Sequence, residues 1–213
     1  MAIHDRSVKN RKMSQMGEMK VIGRPREFDE DEALKTILDV FWVNGFEGTS
    51  MSDLEIATGL RKGSLYAAFG DKRAMYLKAL ALYGRTSIDD AVRVLTGMDA
   101  PERRIGKFLQ SAIDAVAVEN DRRGCFLCNA SIDQAAVDPE TQRSVNASFE
   151  RLGRVLEKVL SELSAIDNNR RRAAAQHLLS VYFGLHVLAR AGQPVRMLKA
   201  AREAALRSVL PIK

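Results

Sequence analysis

Cys125 and Cys128 stand three positions apart, directly after Arg122, Arg123 and Gly124, where a glycine turn would hand the chain over to a helix. A thiol at that place feels the positive end of the helix dipole and two arginine charges, and both favour the thiolate. Cys125 is therefore a candidate reactive thiol. Two small side chains packed into a core explain the same pair, and the pattern favours that plainer reading. No βαβ unit surrounds them, so a thioredoxin-type role is not expected. A metal site has less support still. The chain holds three histidines, and His177 and His186 have no clustered carboxylates beside them. With no glycine-rich phosphate loop either, the expectation is no catalytic constellation, no metal and no cofactor.

The segment Lys62-Gly63-Ser64-Leu65-Tyr66-Ala67-Ala68-Phe69 offers chemistry of another kind. On a helical wheel Leu65, Ala68 and Phe69 share one face and, with Leu60, can pack on Leu54 and Ala57. The opposite face carries Gly63, Ser64, Tyr66 and Ala67, with Lys62 at its N-terminal end. Such a face is small and polar with one aromatic hydroxyl, and it fits a DNA major groove without clashing. The alternative is the ordinary polar side of a three-helix mini-core.

Helices must position these groups, and their signals are clear. An Asp29-x-x-Glu32 cap opens a helix whose stripe is Leu34, Ile37, Leu38, Phe41 and Trp42, ending at Asn44-Gly45. Ser50-x-x-Asp53 opens a short helix to Thr58-Gly59, and residues 62–69 form the next, stopped by Gly70. Asp71 then caps a long helix from Lys72 to about Thr96. Further helices are expected to about residue 119, over 125–136, from Asp138-Pro139 to about 164, over 167–191 and finally to about 210. The fold class is all-α with roughly nine helices. Residues 1–22 read as a disordered basic arm, 23–71 as a helix-turn-helix domain and 72–213 as a larger helical domain.

The 213 residues carry 33 Lys plus Arg against 27 Asp plus Glu, a net charge of +6. The excess lies away from the groove-facing helix: residues 1–70 hold 10 basic and 11 acidic side chains. A nucleic-acid reading thus rests on local pattern, not bulk charge. No segment approaches the roughly 18 apolar residues of a membrane span. The absence of a secretory signal and of a disulfide framework leads to the expectation of a cytoplasmic protein without a membrane partner.

The run Thr49-Ser50-Met51-Ser52-Asp53-Leu54, followed by Gly59-Leu60-Arg61-Lys62-Gly63-Ser64-Leu65-Tyr66-Ala67-Ala68-Phe69-Gly70-Asp71-Lys72, resembles the signature of tetracycline-repressor (TetR) regulators. The likeness is close over residues 28–82; beyond them it extends only to helix number and length. It implies a homodimer, each subunit having an N-terminal DNA-binding domain and a helical domain with an effector pocket. It implies a repressor that binds double-stranded DNA at a near-palindromic operator and is released by a small molecule. By position it places Thr49, Ser50, Lys62, Gly63, Ser64, Tyr66 and Lys72 at the DNA, Tyr66 and Lys72 on phosphates, and Gly63 and Ser64 nearest base edges. Ala67 shares that face. Three residues depart from the pattern. Arg61 stands where Ser or Thr usually caps the recognition helix, trading the cap for a possible phosphate contact. Ala68 replaces a frequent His or aromatic. Glu55 fills a usually small site, so it either snorkels outward or spaces the two helices apart.

Before the first helix, Arg24 and Arg26 flank Pro25 and could enter an A·T-rich minor groove. A basic linker adding only non-specific affinity explains them slightly better. The 167–191 helix is apolar nearly all round after Arg172, which demands cover on more than one side. The resemblance supplies that cover as a dimer through the last two long helices. Phe108, Cys125, Phe126, Asn129, Phe149, Tyr182 and His186 are candidate effector-pocket residues, though each is also readable as plain core.

Overall fold

Five side-chain caps set where the main helices begin: Asp29, Ser50, Asp71, Asp138 and Asp167 each accept a backbone N–H from the first turn that follows. The computed structural model describes residues 28–210. The 1–22 arm, Arg24 and Arg26 lie outside the described residues. α1 (Glu30–Asn44), α2 (Met51–Thr58) and α3 (Lys62–Phe69) form the N-terminal head. α4 (Lys72–Tyr83), a π-helical turn at Gly84–Ile88 and α5 (Asp89–Leu95) run on as one rod into the body. The body adds α6 (Pro101–Ala117), α7 (Phe126–Asp133), α8 (Pro139–Leu160), α9 (Asn168–Arg190) and α10 (Val195–Val209). Counting the rod once, the described residues hold nine helical elements and no strand.

The rod is not one uniform α-helix over 72–96. In the π-turn the Thr86 hydroxyl donates to the Leu82 and Tyr83 carbonyls, at 3.1 and 3.4 Å. Residues five apart share a face in a π-turn, so Tyr83 and Ile88 are both buried. α7 ends at Asp133, short of residue 136, and α8 ends at Leu160, short of 164. Both ends run out through turns whose backbone bonds step back three to five residues, as in Val137 N–H to Gln134 O at 3.0 Å and Leu163 N–H to Leu160 O at 3.2 Å.

α1 buries Ala33, Ile37, Leu38 and Phe41, chiefly against α4. Its far end meets α7. There Phe126 is the hub of an aromatic cluster, 5.6 Å from Tyr76, 5.9 Å from Tyr83 and 6.4 Å from Trp42, centroid to centroid. This cluster joins head and body, so the two share one continuous core.

Candidate nucleic-acid interface

Each end of the α2–turn–α3 unit is fixed by an identifiable bond. Ser50 and Asp53 form a reciprocal capping box: Asp53 N–H reaches Ser50 Oγ at 3.1 Å, and Ser50 N–H reaches Asp53 Oδ2 at 2.7 Å. Those Ser50 bonds hold the Asp53 carboxyl below its ordinary range. The Thr49 side chain is buried and its hydroxyl donates to the Gly45 carbonyl at 2.7 Å. Both hydroxyls, and the Ser50 and Asp53 amides, are thus taken up in fixing the start of α2. α2 stops at Gly59, whose φ of +68° is the left-handed turn that a side chain would strain.

α3 begins without a cap from its own N-cap residue, because Arg61 supplies no side-chain bond. The missing cap comes from Glu55, whose Oε1 accepts the Lys62 N–H at 2.6 Å. Glu55 therefore neither snorkels away nor spaces the helices apart; it bridges α2 to the start of α3, and its charge suits that dipole end. At the other end Lys78 donates to the Ala68 carbonyl at 3.1 Å, with its ammonium 5.5 Å from the Phe69 ring. Neither bond is readable from the sequence, because each depends on how a turn folds back.

Leu65 and Phe69 are buried, while Arg61, Lys62, Gly63, Ser64, Tyr66 and Ala67 are exposed together on the outer face. Tyr66 keeps 43% of its surface exposed, and the Lys62 ammonium stands 5.9 Å from its ring. Nothing lies within 4 Å of where a Gly63 side chain would project, so backbone can approach a partner closely there. Lys72 is set apart: it is half-buried, its ammonium 4.4 Å from the Phe46 ring.

The candidate effector residues divide into two groups. Phe108 and Tyr182 stack at 4.0 Å, His186 meets Tyr182 edge-on at 4.7 Å, and Phe149 packs on Phe183 at 4.3 Å, itself against Tyr182. Cys125, Phe126 and Asn129 belong to the N-terminal turn of α7, which packs on α4, α8 and α9, and Cys125 also interacts with Tyr182. Phe126 and Asn129 also line an open cleft of about 460 Å³ between α1 and α7, with Trp42, Tyr76, Asp133 and Arg190. Among the described residues no group of three or more His, Cys, Asp or Glu could hold a metal ion.

The segment before α7 locks onto α1. Arg123 lies 4.0 Å over the Trp42 ring, pairs with Asp39 at 2.6 Å and with Asp121 at 2.9 Å. Trp42 Nε1 donates to the Gly124 carbonyl at 3.2 Å, and Phe46 N–H donates to Asp133 at 2.6 Å. A second tie joins Arg73 of α4 to Asp138 and Glu140 at 2.7 and 2.9 Å. Together with the Thr141 hydroxyl, Arg73 draws the Asp138 carboxyl down to about 2.

Deeper in the body, His186 Nε2 is sealed from solvent without a hydrogen-bond partner, and burial lowers its pKa from 6.5 to about 4. The fold thus favours neutral imidazole, and the unfolded chain takes up the proton first as pH falls. The stability this confers is complete above pH 6.5 and is lost towards pH 4. Between pH 7 and pH 5 the loss is about 2 kcal/mol from this group alone. Urea unfolding at both pH values should show it in the wild type and not in His186→Leu; an equal loss in both would overturn the assignment.

A helix-turn-helix head with an exposed donor face, carried by a rod on a helical body, is the build of a DNA-binding regulator. A family model described as "Bacterial regulatory proteins, tetR family" matches residues 33–79. The uncharacterized HTH-type transcriptional regulator YezE of Bacillus subtilis (strain 168) is 31% identical over 136 residues, 64% of this chain and 68% of that protein. The HTH-type transcriptional repressor BdcR of Escherichia coli (strain K12) is 24% identical over 182 residues, 85% of this chain and 89% of that protein. The solved structure of a cysteine mutant of the TetR family transcriptional regulator CifR, complexed with 26bp double-strand operator DNA, superposes with a TM-score of 0.75. It is 30% identical and covers 88% of this chain and all of its own. The chain belongs to the TetR family of transcriptional regulators. Among the described residues no helix is long and apolar enough to cross a membrane.

Proposed function

We propose that the protein is a homodimeric repressor that grips a near-palindromic operator and releases it when a small molecule binds the helical body. The observation that carries this reading is the outer face of α3, where Lys62, Gly63, Ser64 and Tyr66 are exposed together while Leu65 and Phe69 anchor the helix. Lys62, Tyr66 and the start of α2 serve phosphates, and Gly63 and Ser64 lie against base edges. Arg61 adds a phosphate contact, and Arg24 and Arg26 extend the basic surface beyond the head.

The dimer is supported by an uncovered face of small and apolar side chains. Ala173, Gln176, Ser180 and Val187 of α9 and Met197, Ala200, Ala204 and Ser208 of α10 are all exposed. Pairing these helices with their copies sets two recognition helices about 34–36 Å apart, one turn of DNA. The effector's seat is placed at the buried Phe108–Tyr182–His186 stack, on the ground of its aromatic rings and one unpartnered ring nitrogen. A coupling of about 1–3 kcal/mol between that seat and the head is enough to empty the operator.

Fluorescence anisotropy on DNA flanking the protein's own gene, against scrambled DNA at two salt concentrations, tests the reading, with light scattering for mass. Specific binding that survives higher salt, by a species of twice the chain mass, is expected. Equal, salt-sensitive binding to both DNAs would leave only electrostatic attraction and sink it.

A further inference from the structure

Both cysteines are free and buried, and they sit where α7 begins: Cys125 is its N-cap residue and Cys128 lies one turn on. Around the Cys125 sulfur several donors converge. The Cys128 thiol, the Tyr83 hydroxyl and the amides of Leu127 and Cys128 all lie near enough to interact with it. None of these amides makes a full capping bond to the sulfur, so their positive ends remain turned towards it. Tyr83 is itself buried, and burial together with Cys125 keeps its hydroxyl protonated and hence a donor. Burial works to raise the Cys125 thiol, but the donors outweigh it and bring it down; Cys128, donating to Cys125 and buried, goes up. One sulfur is thus prepared to carry charge and its neighbour to hold the proton. Packing alone requires none of this.

We propose that Cys125 and Cys128 are a dithiol modification site that a small hydroperoxide oxidises to a disulfide, and that the new bond loosens the grip of the α7 entry on α1. The Cys125 thiolate attacks one peroxide oxygen. The O–O bond breaks, its electron pair leaves with the second oxygen, and that oxygen takes a proton to become water or an alcohol. Cys125 is then a sulfenic acid. The Cys128 sulfur attacks it, the S–S bond forms, and the sulfenic oxygen leaves as water with the Cys128 proton. Two thiols have given two electrons to one peroxide. The sulfurs are too enclosed for a bulky reagent, with Cys125 1% and Cys128 5% exposed, but hydrogen peroxide is of water size.

The bond has mechanical consequences because of what Cys125 follows. Cys125 has the extended backbone of an N-cap while Cys128 lies in the first helical turn, so an S–S bond, with its fixed Cβ separation and dihedral, ties the entry segment to the start of α7. Cys125 is joined directly to Gly124, whose φ is +72° and where an added Cβ would lie 3.1 Å from the His186 carbonyl. Gly124 accepts from Trp42, while the Arg123 carbonyl accepts from Asn129 at 3.0 Å and Arg190 at 2.8 Å. Pulling Cys125 inward draws on this whole clasp, and the clasp is what holds α1. The DNA readout of this inference rests on the regulator reading above; the thiol chemistry does not.

The experiment treats the full chain with hydrogen peroxide and follows intact mass, free-thiol count and operator anisotropy, before and after dithiothreitol. Expected is the loss of both thiols together with two hydrogens of mass, and a fall of about tenfold in operator affinity. Dithiothreitol should reverse both. Cys128→Ser should stop at a sulfenic acid on Cys125, read as one added oxygen in the intact mass, and Cys125→Ser should keep its remaining thiol and its affinity. Tyr83→Phe should slow thiol loss several-fold. Thiols that survive peroxide in the native protein would overturn the site, and a disulfide with unchanged affinity would overturn the coupling. Reduced protein that ignores the operator would instead count against the regulator reading, while mass and thiol count still decide the chemistry.

Discussion

Replacing Lys62 or Tyr66 with alanine should cut operator affinity by about ten- to a hundredfold while leaving thermal stability nearly unchanged. The two effects separate because of where these side chains stand. Both are exposed, and the packing of α3 is carried by Leu65 and Phe69 on its other side. Surface substitutions away from caps and cores usually change stability by no more than about 0.5 kcal/mol. In the proposed docking Lys62 serves a phosphate, so its loss should weaken specific and scrambled DNA alike and lower the salt slope by about one. Ser64→Ala should act differently, relaxing preference at one base position at a cost of about 1–3 kcal/mol. Anisotropy across a salt series, with melting curves for each variant, would check this. Unchanged operator affinity in both alanine variants would remove α3 from the interface.

Much of this head is legible in the amino-acid sequence itself, for a local reason. Asp29, Ser50 and Asp71 act within a turn of where they stand, so residue type and spacing suffice to place three helix starts. The outer face of α3 follows from its own wheel. What the sequence hides is what crosses a turn or a domain. Glu55 looks like a misfit at a small site until the α2–α3 turn brings it to the Lys62 amide. The π-turn lengthens the step between buried residues of the rod to five, from Tyr83 to Ile88 across Gly84, Arg85, Thr86 and Ser87, a single irregular step that a helical wheel over 72–96 averages away. Arg123 and Asp39 lie 84 residues apart, and no periodicity joins them. Phe126 is the sharpest case: its type allows a pocket residue or plain core, and only the fold shows that it also joins the head to the body.

That placement has a large expected consequence. Phe126→Ala should cost about 3–5 kcal/mol, the usual range for an aromatic removed from a full core. Phe126 is 1% exposed and touches rings from three directions, Trp42 of α1 and Tyr76 and Tyr83 of α4, so little can collapse into the space it leaves. At about 2–4 °C per kcal/mol for a chain of this size, the melting point should fall by roughly 10 °C. The order of melting should change as well. Trp42 is the single tryptophan of the chain, and it lies at the junction under Arg123. In the wild type its emission and the far-ultraviolet helix signal should melt together, since one core runs through head and body. In Phe126→Ala the emission should shift first, as α1 parts from α7 while α6, α8 and α9 still hold the body. Phe149→Ala provides the contrast, because Phe149 is half-buried on Phe183 away from the junction, and it should melt in one step with a smaller loss. Coincident melting of the two signals in Phe126→Ala, with a drop no greater than that of Phe149→Ala, would mean that the ion pairs of Arg123 and Arg73 hold the junction without the ring. Those pairs are partly exposed and individually weak, which is why the aromatic hub is expected to carry the link between DNA reading and the helical body.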